Sequence, residues 1–286
     1  MANFIHNRRA FLGGAAALAA TALLPSTANA TQDDATDITV SNGRVVTFSI
    51  WRPATVRAAI VFSHGQGGKP QNYDALTNTY RDAGILIVAP LHVDSLDHPH
   101  RADYDRRAGF GARCEDMIAG FNLLASLAPD APRAVSGHSY GALMSLITGG
   151  GLPPVVPAPL APVSAVVAFS SAGRVPGLIN EHSYSGLTAP TLMVTGDQDT
   201  VEDAGITNWR DHLYPFETSP AGNKLALVYA GGHHNLIGGQ QPADANGPDA
   251  IRNGADFILA NAVGDTDAAA RIAALETNAV REVMRR

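Results

Sequence analysis

The chain has 286 residues, of which 45% are hydrophobic and 16% are charged, which excludes an intrinsically disordered chain and a fibrous or coiled-coil rod. Its 20 basic and 26 acidic side chains give a formal net charge of −6 without any basic block, so we expect neither nucleic acid nor an anionic membrane surface as a partner. A single cysteine, Cys114, excludes an intramolecular disulfide and a cysteine-rich metal site.

The first thirty residues have the pattern of an export signal. Arg8 and Arg9 precede an apolar run of small residues from Gly13 to Leu24, and Ala28-Asn29-Ala30 has the small-x-small pattern of a cleavage site. The apolar run is shorter than the roughly twenty residues that cross a bilayer, so we expect no stable membrane span. The arginine pair is typical of a twin-arginine signal peptide. We expect cleavage near Ala30, the twin-arginine translocase as a partner during export, and a periplasmic or secreted protein.

After this segment, short apolar runs alternate with helix-like segments. Two β-rich stretches, Ile38–Val40 and Val45–Trp51, flank Ser41-Asn42-Gly43, which is typical of a hairpin turn. Six further runs are almost uninterruptedly apolar, as parallel strands covered on both faces require; they span 58–62, 85–89, 134–135, 165–169, 191–194 and 225–229. The helix-like segments span 70–83, 111–128, 140–149, 203–213 and 248–263. This order predicts an α/β fold with a mostly parallel, twisted sheet, helices on both faces and an N-terminal antiparallel hairpin.

Three stretches depart from this alternation. Residues 149–162 are rich in glycine and proline and are expected to form a surface loop. Residues 171–189 are too few for a large cap domain, so we expect the top of the sheet to be open. At the C-terminus, one helical stripe predicts a helix over about residues 266–285; it comprises Ile272, Leu275, Ala279 and Val283. Residues 31–286 are expected to form a single domain.

The strongest motif is the pentapeptide Gly137-His138-Ser139-Tyr140-Gly141. It follows the strand-like residues 133–136 and precedes the helical residues 142–148, which is the strand–turn–helix setting of a G-x-S-x-G nucleophile elbow. The two glycines leave room where a side chain would collide with the neighbouring strand and helix. Ser139 is therefore predicted to be a nucleophile near a helix N-terminus.

A serine nucleophile needs a general base, and in this motif the acid and then the histidine follow the serine in the chain. The histidines after Ser139 are His182, His212, His233 and His234. His182 and His212 lie in polar segments and are expected to be exposed to solvent. His233 and His234 follow an apolar strand and a Gly-Gly turn, which can direct an imidazole over the sheet. We favour His233, which directly follows the glycines, over His234.

The acid is expected on the loop after the predicted strand 191–194. Asp197 and Asp199 both lie there, and a carboxylate in this position can orient the imidazole and stabilise its cation. A loop aspartate can equally well cap backbone groups, and one of the two is expected to do only that. The residues alone leave this choice open.

The loop Ser63-His64-Gly65-Gln66-Gly67-Gly68 follows the strand expected beside the elbow. An oxyanion hole needs one backbone N–H after the nucleophile and one from such a loop, so Tyr140 and Gln66 are the candidate donors. A phosphate-binding loop is excluded, because Ser63 and Pro70 stand where its first glycine and its Ser/Thr would be.

A second polar loop, His92–His100, holds three histidines and two aspartates. These residue types can bind a metal, but their spacing matches no metal-site pattern, and a serine mechanism needs none. We expect this loop to line the mouth of the site, and we expect neither a metal nor a cofactor.

Together these residues resemble the α/β-hydrolase superfamily over nearly the whole chain after residue 30. The matching segments are 63–68, the elbow at 137–141, 196–199 and 231–233. Within the superfamily, segments 62–65, 80–89 and 90–92 are similar to dienelactone-hydrolase and platelet-activating-factor-acetylhydrolase-like esterases. The acid of that family usually stands in a G-x-x-D arrangement, which implies Asp199 rather than Asp197. Dienelactone hydrolases proper use a cysteine nucleophile, and Ser139 in that place argues against their substrate.

Together, the export signal at residues 1–30 and the resemblance imply an exported serine hydrolase that cleaves carboxylic esters through an acyl-enzyme. Its catalytic residues would be Ser139, Asp199 and His233, with the oxyanion hole formed by Gln66 and Tyr140. The expected substrate is a small-molecule, lipid or polyester ester, while the sequence leaves the acyl group, the alcohol and the oligomeric state open. The alternatives are a peptidase or amidase with the same triad, and a non-catalytic periplasmic binding protein of the same fold.

Overall fold

The computed structural model describes residues 34–286 apart from residues 154, 157, 158 and 176. The expected signal peptide at residues 1–30 lies outside the described residues. No helix in the described part of the chain is both long and apolar enough to cross a membrane.

Nine strands are found among the described residues: β1 (Asp34–Thr39), β2 (Val45–Trp51), β3 (Ala58–Ser63), β4 (Ile85–Pro90), β5 (Arg133–His138), β6 (Val166–Phe169), β7 (Thr191–Gly196), β8 (Lys224–Tyr229) and β9 (Arg281–Arg285). They form one sheet in the order β1-β2-β4-β3-β5-β6-β7-β8-β9. The pairs from β4 through β8 are parallel. β1 and β2 form the predicted antiparallel hairpin, and β2 is also antiparallel to β4. The predicted α/β fold with a mostly parallel sheet is confirmed.

The helices are α1 (Asp74–Asp82), α2 (Arg106–Leu127), α3 (Tyr140–Thr148), α4 (Tyr214–Thr218), α5 (Gly247–Ile258) and α6 (Thr266–Ala273). A π-helical turn, Leu259–Val263, extends α5, and short 3-10 turns include Trp209–Leu213. The segment predicted as a helix over residues 203–213 consists instead of 3-10 turns and an isolated bridge between Val201 and Ile206.

Helices cover both faces of the sheet because successive residues of a strand point to opposite sides. In β3, Val61 belongs to a buried cluster that includes Met117 of α2, while Ile60 belongs to a cluster that includes Phe257 of α5. The sheet is therefore sandwiched between two apolar layers, and its central strands are buried throughout.

The predicted C-terminal helix over residues 266–285 is wrong in its second half. α6 ends at Ala273, and β9 pairs antiparallel with β8, with Leu227 opposite Val283. The side chain of Asn278 accepts hydrogen bonds from two backbone N–H groups at the start of β9. Without β9, β8 would present an unpaired edge, and satisfying those backbone groups outweighs the helical spacing of the apolar residues.

The parallel strands bring their carboxyl ends to one edge of the sheet. Ser139 follows β5, Asp199 follows β7, and His234 follows β8, so residues that are distant in the chain meet there. The connection from β6 to β7 contains no helix among its described residues, which leaves this edge thinly covered.

Candidate active site

Ser139 occupies a strained turn between β5 and α3. Its backbone has φ 55° and ψ −118°, a conformation that residues other than glycine rarely adopt. A Cβ on Gly137 would lie 2.2 Å from the carbonyl oxygen of Gly141, and one on Gly141 would lie 1.9 Å from that of Ser63. The turn thus requires both glycines, as a nucleophile elbow does.

The structure brings Ser139, His234 and Asp199 together. His234 Nε2 lies 2.9 Å from Ser139 Oγ, and His234 Nδ1 lies 2.8 Å from Asp199 Oδ1. A carboxylate only accepts hydrogen bonds, so Nδ1 carries the proton and Nε2 presents its lone pair to the serine hydroxyl. The Asp199 side chain is fully buried, while that of His234 is 21% exposed. The His234 imidazole is therefore held by a buried carboxylate and is also accessible to solvent.

His233, the histidine favoured from the sequence, does not lie beside Ser139, and the correct partner is its neighbour His234. The backbone N–H of His233 donates to Asp244 Oδ2 at 2.7 Å, and its side chain is 67% exposed. This contact turns His233 outward, and the next residue consequently points over the sheet. At Gly232 the chain runs against the end of β7, just before the loop that carries Asp197 and Asp199. A Cβ added to Gly232 would lie only 3.0 Å from the Cα of Gly196.

Of the two candidate aspartates, Asp199 contacts the imidazole. Asp197 Oδ1 instead accepts the backbone N–H of Gly231 at 2.7 Å, which is the capping role expected for one of them. Asp199 Oδ2 accepts the hydroxyl of Thr195 at 2.8 Å. The carboxylate is thus held by hydrogen bonds on both oxygens.

His212 also contacts Asp199, although the sequence predicted an exposed histidine. Its side chain is fully buried, and its Nε2 lies 3.0 Å from Asp199 Oδ1. Its Nδ1 faces the carbonyl oxygen of Ser171. The burial of His212 is not evident from its polar neighbours in the sequence, because the side chain is directed inward by the path of the turn 209–213.

Burial alone would raise the pKa of Asp199, but hydrogen bonds from His212 and His234 hold that pKa well below its ordinary value. Burial opposes charging of His212, yet Asp199 and the Ser171 carbonyl raise the pKa of His212 above its ordinary value. The carboxylate is consequently ionised with two imidazoles directed at it.

His138, inside the elbow, supports the loop that carries the base. Its Nε2 donates to the His234 carbonyl at 2.7 Å, and its Nδ1 lies 2.9 Å from the hydroxyl of Tyr73. Burial, followed by the nearby His234, lowers the pKa of His138 to about 3, so its ring is neutral. Tyr73 therefore donates to Nδ1, and its own pKa is raised to about 12 by burial.

Gln66 and Tyr140 supply the candidate oxyanion donors. Within the described residues, none of the hydrogen bonds uses the backbone N–H of either residue. A Cβ on Gly65 would lie 3.4 Å from Ser139 Cβ, so the Gln66 loop runs against the nucleophile. Both N–H groups are thus unpaired and belong to segments that border Ser139, as an oxyanion hole requires.

A second Ser–His–Asp chain lies beneath this loop and was not predicted from the sequence. Ser63 Oγ lies 2.8 Å from His92 Nε2, and His92 Nδ1 lies 2.7 Å from Asp116 Oδ2. All three residues are fully buried. Arg44 Nη1 lies 2.6 Å from Asp116 Oδ1, which pairs the carboxylate. His92 therefore begins the loop His92–His100 as a buried structural residue.

Arg113 joins this buried chain to the candidate oxyanion loop. Its Nη1 donates to the His64 carbonyl at 2.9 Å and to Ser63 Oγ at 3.2 Å. Its Nε and Nη2 bind the Asp94 carboxylate at 2.7 and 2.9 Å. The guanidinium carbon lies 4.3 Å from the centre of the Tyr140 ring. One buried cation thus contacts the elbow and the loop that flanks it.

A signal for Arg113 does exist in the sequence. It occupies one position of a stripe at helical spacing whose other members are apolar: Phe110, Met117, Phe121 and Leu124. A charged residue within such a stripe indicates a buried, paired charge.

A further cluster has the composition of a metal site. One ligand atom from each of Asp199, His212 and His234 lies within 4.8 Å of the others. The contacts explain the cluster differently, because His212 Nε2 and His234 Nδ1 both face a carboxylate oxygen and so must carry protons. Protonated ring nitrogens offer no lone pair to a metal, and we interpret the cluster as a hydrogen-bonded network.

A cavity of about 360 Å³ opens beside the candidate oxyanion loop. It is lined by Gly67, Lys69, Asn72, Leu96, Asp97 and Gln240. Leu96 and Asp97 belong to the loop His92–His100, so this loop borders the cavity, while Ser139 and His234 are not among the residues that line it. Gln240 Nε2 donates to the Gln66 carbonyl at 3.0 Å and closes the cavity on one side.

Comparison with known proteins finds one distant relative by sequence. The chain is similar to a monoglyceride lipase homolog of monkeypox virus, at 28% identity over 159 residues. The match covers 53% of this chain and 56% of the relative, so it spans little more than half the length of that protein. No family model matches the chain.

Solved structures show a wider likeness. A thermostable carboxyl esterase from Bacillus coagulans matches with a TM-score of 0.61 and 16% identity, covering 80% of this chain and 99% of that one. An alpha-beta serine hydrolase homologue from Coxiella burnetii matches with a TM-score of 0.57 and 17% identity, covering 79% and 97%. An esterase from Pyrobaculum calidifontis matches with a TM-score of 0.58 and 17% identity, covering 80% and 85%. At these identities the likeness shows the fold, which is that of the α/β-hydrolases.

Proposed function

We propose that this protein is a serine hydrolase that cleaves carboxylic esters. The observation that carries the proposal is one imidazole, that of His234, hydrogen-bonded to Ser139 on one side and to a buried carboxylate on the other. This arrangement turns a weak hydroxyl nucleophile into an effective one. The esterases and the lipase homolog named above support ester substrates over other acyl compounds.

In the proposed reaction, Ser139 Oγ attacks the ester carbonyl carbon while its proton passes to His234 Nε2. Asp199 stabilises the resulting imidazolium. The tetrahedral intermediate then collapses, the alcohol leaves with the proton from His234, and an acyl-enzyme remains. A water molecule then gives a proton to the same nitrogen and attacks the acyl carbon. The second tetrahedral intermediate collapses, the acid leaves, and Ser139 Oγ takes its proton back from His234.

The negative charge on the tetrahedral oxygen needs donors that are already in place. We assign this role to the backbone N–H groups of Gln66 and Tyr140, with the second at the N-terminus of α3. Both are unpaired among the described hydrogen bonds, so they lose no existing partner when the oxyanion forms.

The finer parts of the proposal rest on the sequence. They are membership of the dienelactone-hydrolase and platelet-activating-factor-acetylhydrolase-like group, a twin-arginine signal at residues 1–30, and a periplasmic or secreted location. The thinly covered sheet edge and the cavity beside Gln66 are compatible with small, lipid and polyester substrates. Turnover of p-nitrophenyl esters of increasing acyl length, alongside a triglyceride emulsion and a polyester film, distinguishes these classes.

The central experiment compares the alanine variants of Ser139, His234 and His233 in p-nitrophenyl ester hydrolysis. We expect the changes at Ser139 and His234 to lower kcat by about 10⁴- to 10⁶-fold. The change at His233 is the matched control, because this neighbouring histidine contacts Asp244 instead, and its kcat should stay within about threefold.

Labelling of the wild-type protein with a fluorophosphonate probe provides a check that needs no ester substrate. The probe should attach to Ser139 and should not label the Ser139→Ala protein. Absence of label on a folded wild-type protein would favour a non-catalytic binding protein. Faster turnover of peptide or amide substrates than of esters would favour a peptidase or amidase.

A further inference from the structure

Both ring nitrogens of His212 face oxygen atoms that can only accept hydrogen bonds. Nε2 lies 3.0 Å from Asp199 Oδ1 and 3.2 Å from the Asp199 carbonyl oxygen. Nδ1 faces the carbonyl oxygen of Ser171, whose hydroxyl in turn donates to the His212 carbonyl at 3.3 Å. A neutral imidazole has one N–H, so it would direct a lone pair at one of these oxygens. Only the doubly protonated ring satisfies both contacts.

We propose that His212 is an imidazolium that positions Asp199 and places a positive charge beside His234. It acts through Asp199 and not on the substrate, so it is a positioning residue. The inference rests on the proposed function in one respect, namely that His234 is the general base. In the resting site, the charge of Asp199 is then balanced by His212.

The charge of His212 lies close enough to His234 to interact with it strongly. The rings of His212 and His234 are 5.9 Å apart between centroids and nearly parallel, with 28° between their planes. Both side chains bond the same oxygen, Asp199 Oδ1. His212 is fully buried, so bulk water does not screen its charge. When His234 takes up a proton, a second positive charge appears beside the first.

No other titratable group described around His212 and His234 supplies a comparable positive charge. From the elbow, the ring of His138 lies 5.0 Å from that of His234, but His138 is neutral because burial lowers its pKa to about 3. From the end of β7, Asp199 is the ionised partner and Thr195 is uncharged. On the turn of His212 itself, Arg210 is exposed and stacks on Trp209. Asp211, on the same turn, is only partly buried.

The expected consequence is a pH profile of ester hydrolysis that depends on the charge at residue 212. At a separation of 5.9 Å and an effective dielectric of about 20, one unit charge shifts a protonation equilibrium by about 2 pH units, and partial compensation by Asp199 reduces this to about 1–2. Removing the charge at residue 212 should therefore move the acidic limb of the kcat/KM profile to higher pH.

The test is His212→Gln, which keeps a neutral hydrogen-bond donor toward Asp199 but removes the charge. We expect its acidic limb to lie about 1–2 pH units above that of the wild type, with a plateau kcat/KM lowered by less than about tenfold. His182→Gln is the control, since that side chain is 78% exposed, and its profile should match the wild type. An unchanged limb, or one displaced to lower pH, would overturn the proposal.

A measurement without catalysis uses the wild-type protein labelled with ¹⁵N-histidine. Two-bond ¹H–¹⁵N spectra distinguish an imidazolium from either neutral tautomer. At about pH 8, above the ordinary pKa of histidine, one buried ring should still be doubly protonated. A spectrum with neutral rings alone refutes the charge on His212, even if His212→Gln does not fold. Failure of the proposed function is recognised separately, by a wild-type protein that neither hydrolyses esters nor takes the fluorophosphonate label.

Discussion

Arg113→Met tests whether the buried arginine beneath the candidate oxyanion loop stabilises the fold. The variant keeps a long apolar side chain but leaves the Asp94 carboxylate without the two hydrogen bonds that Arg113 donates at 2.7 and 2.9 Å. Burial alone would raise the pKa of Asp94, and Arg113 instead holds it well below its ordinary value, so the carboxylate is charged at neutral pH. The variant therefore leaves the negative charge of Asp94 without its positive partner.

Removing one partner of a buried ion pair typically costs about 3–5 kcal/mol. The Asp94 side chain is 20% exposed, and water can screen part of its charge. We therefore expect the free energy of unfolding to fall by the lower end of that range, about 3 kcal/mol. A domain of ordinary stability, about 5–15 kcal/mol, remains folded after such a loss.

Urea denaturation of Arg113→Met, Asp94→Asn and the double variant separates the charge effect from simple loss of packing. Because the double variant contains neither charge, it should be more stable than the sum of the single losses predicts, by at least about 1 kcal/mol. Arg107→Met, at an exposed position of α2, is the control and should change stability by less than about 0.5 kcal/mol. Strict additivity, or a cost below about 1 kcal/mol for Arg113→Met, would refute the argument.

Two further variants address the triad and the elbow. Asp199→Asn should lower kcat by about 10³- to 10⁴-fold, because an amide no longer fixes the His234 tautomer. In Asp197→Asn the side chain can still accept the Gly231 N–H, so its kcat should fall by less than about threefold. A larger loss for Asp197→Asn in the ester assay would reverse the assignment. Gly141→Ala should destabilise the fold by more than about 2 kcal/mol, because its Cβ would lie 1.9 Å from the Ser63 carbonyl. Gly111→Ala is the control, because a Cβ added at this position of α2 would have no atom within 4 Å; it should raise the free energy of unfolding by about 0.5–1 kcal/mol. Similar urea midpoints for the two alanine variants would contradict this reasoning.

The strands were predictable because each central strand is an apolar run with a turn at its end. Ala58–Ser63 and Thr191–Gly196 show this most clearly, since every residue in them is buried. The last strand, Arg281–Arg285, was not predictable in this way. Its sequence, Arg-Glu-Val-Met-Arg, has no uninterrupted apolar run and no strict alternation, and Val283 also continues a helical stripe. Only the open edge of β8, a feature of the tertiary structure, decides between the two patterns.

The elbow was predictable to the residue, whereas the histidine after β8 was not. Ser139 is specified by two glycines that collide with named backbone atoms if they are replaced. The choice between His233 and His234 depends on which of two adjacent side chains turns inward. That turn is decided by the hydrogen bond from the His233 N–H to Asp244, a residue eleven positions further along the chain. No local pattern in the sequence carries this information.

His212 illustrates a different limit of sequence reasoning. Its neighbours Arg210 and Asp211 are polar, and a histidine among them is normally exposed. The 3-10 turn Trp209–Leu213 nevertheless directs it at Asp199, where its two N–H groups find two acceptors. Buried polar residues of this kind are specified by partners far away in the chain.

Two Ser–His–Asp chains occur among the described residues, and only the one at Ser139 is proposed to be catalytic. Both have nearly the same spacing, with hydroxyl-to-imidazole distances of 2.9 Å for Ser139 and 2.8 Å for Ser63. Ser63, however, is fully buried, and Arg113 donates a hydrogen bond to its Oγ, which occupies a lone pair and lowers its nucleophilicity. Ser139 is partly exposed and borders two unpaired backbone donors. Hydrogen-bond geometry alone therefore does not identify the reactive serine. Access for a substrate and unpaired backbone donors beside the hydroxyl would make the difference, and the proposed mechanism relies on both at Ser139.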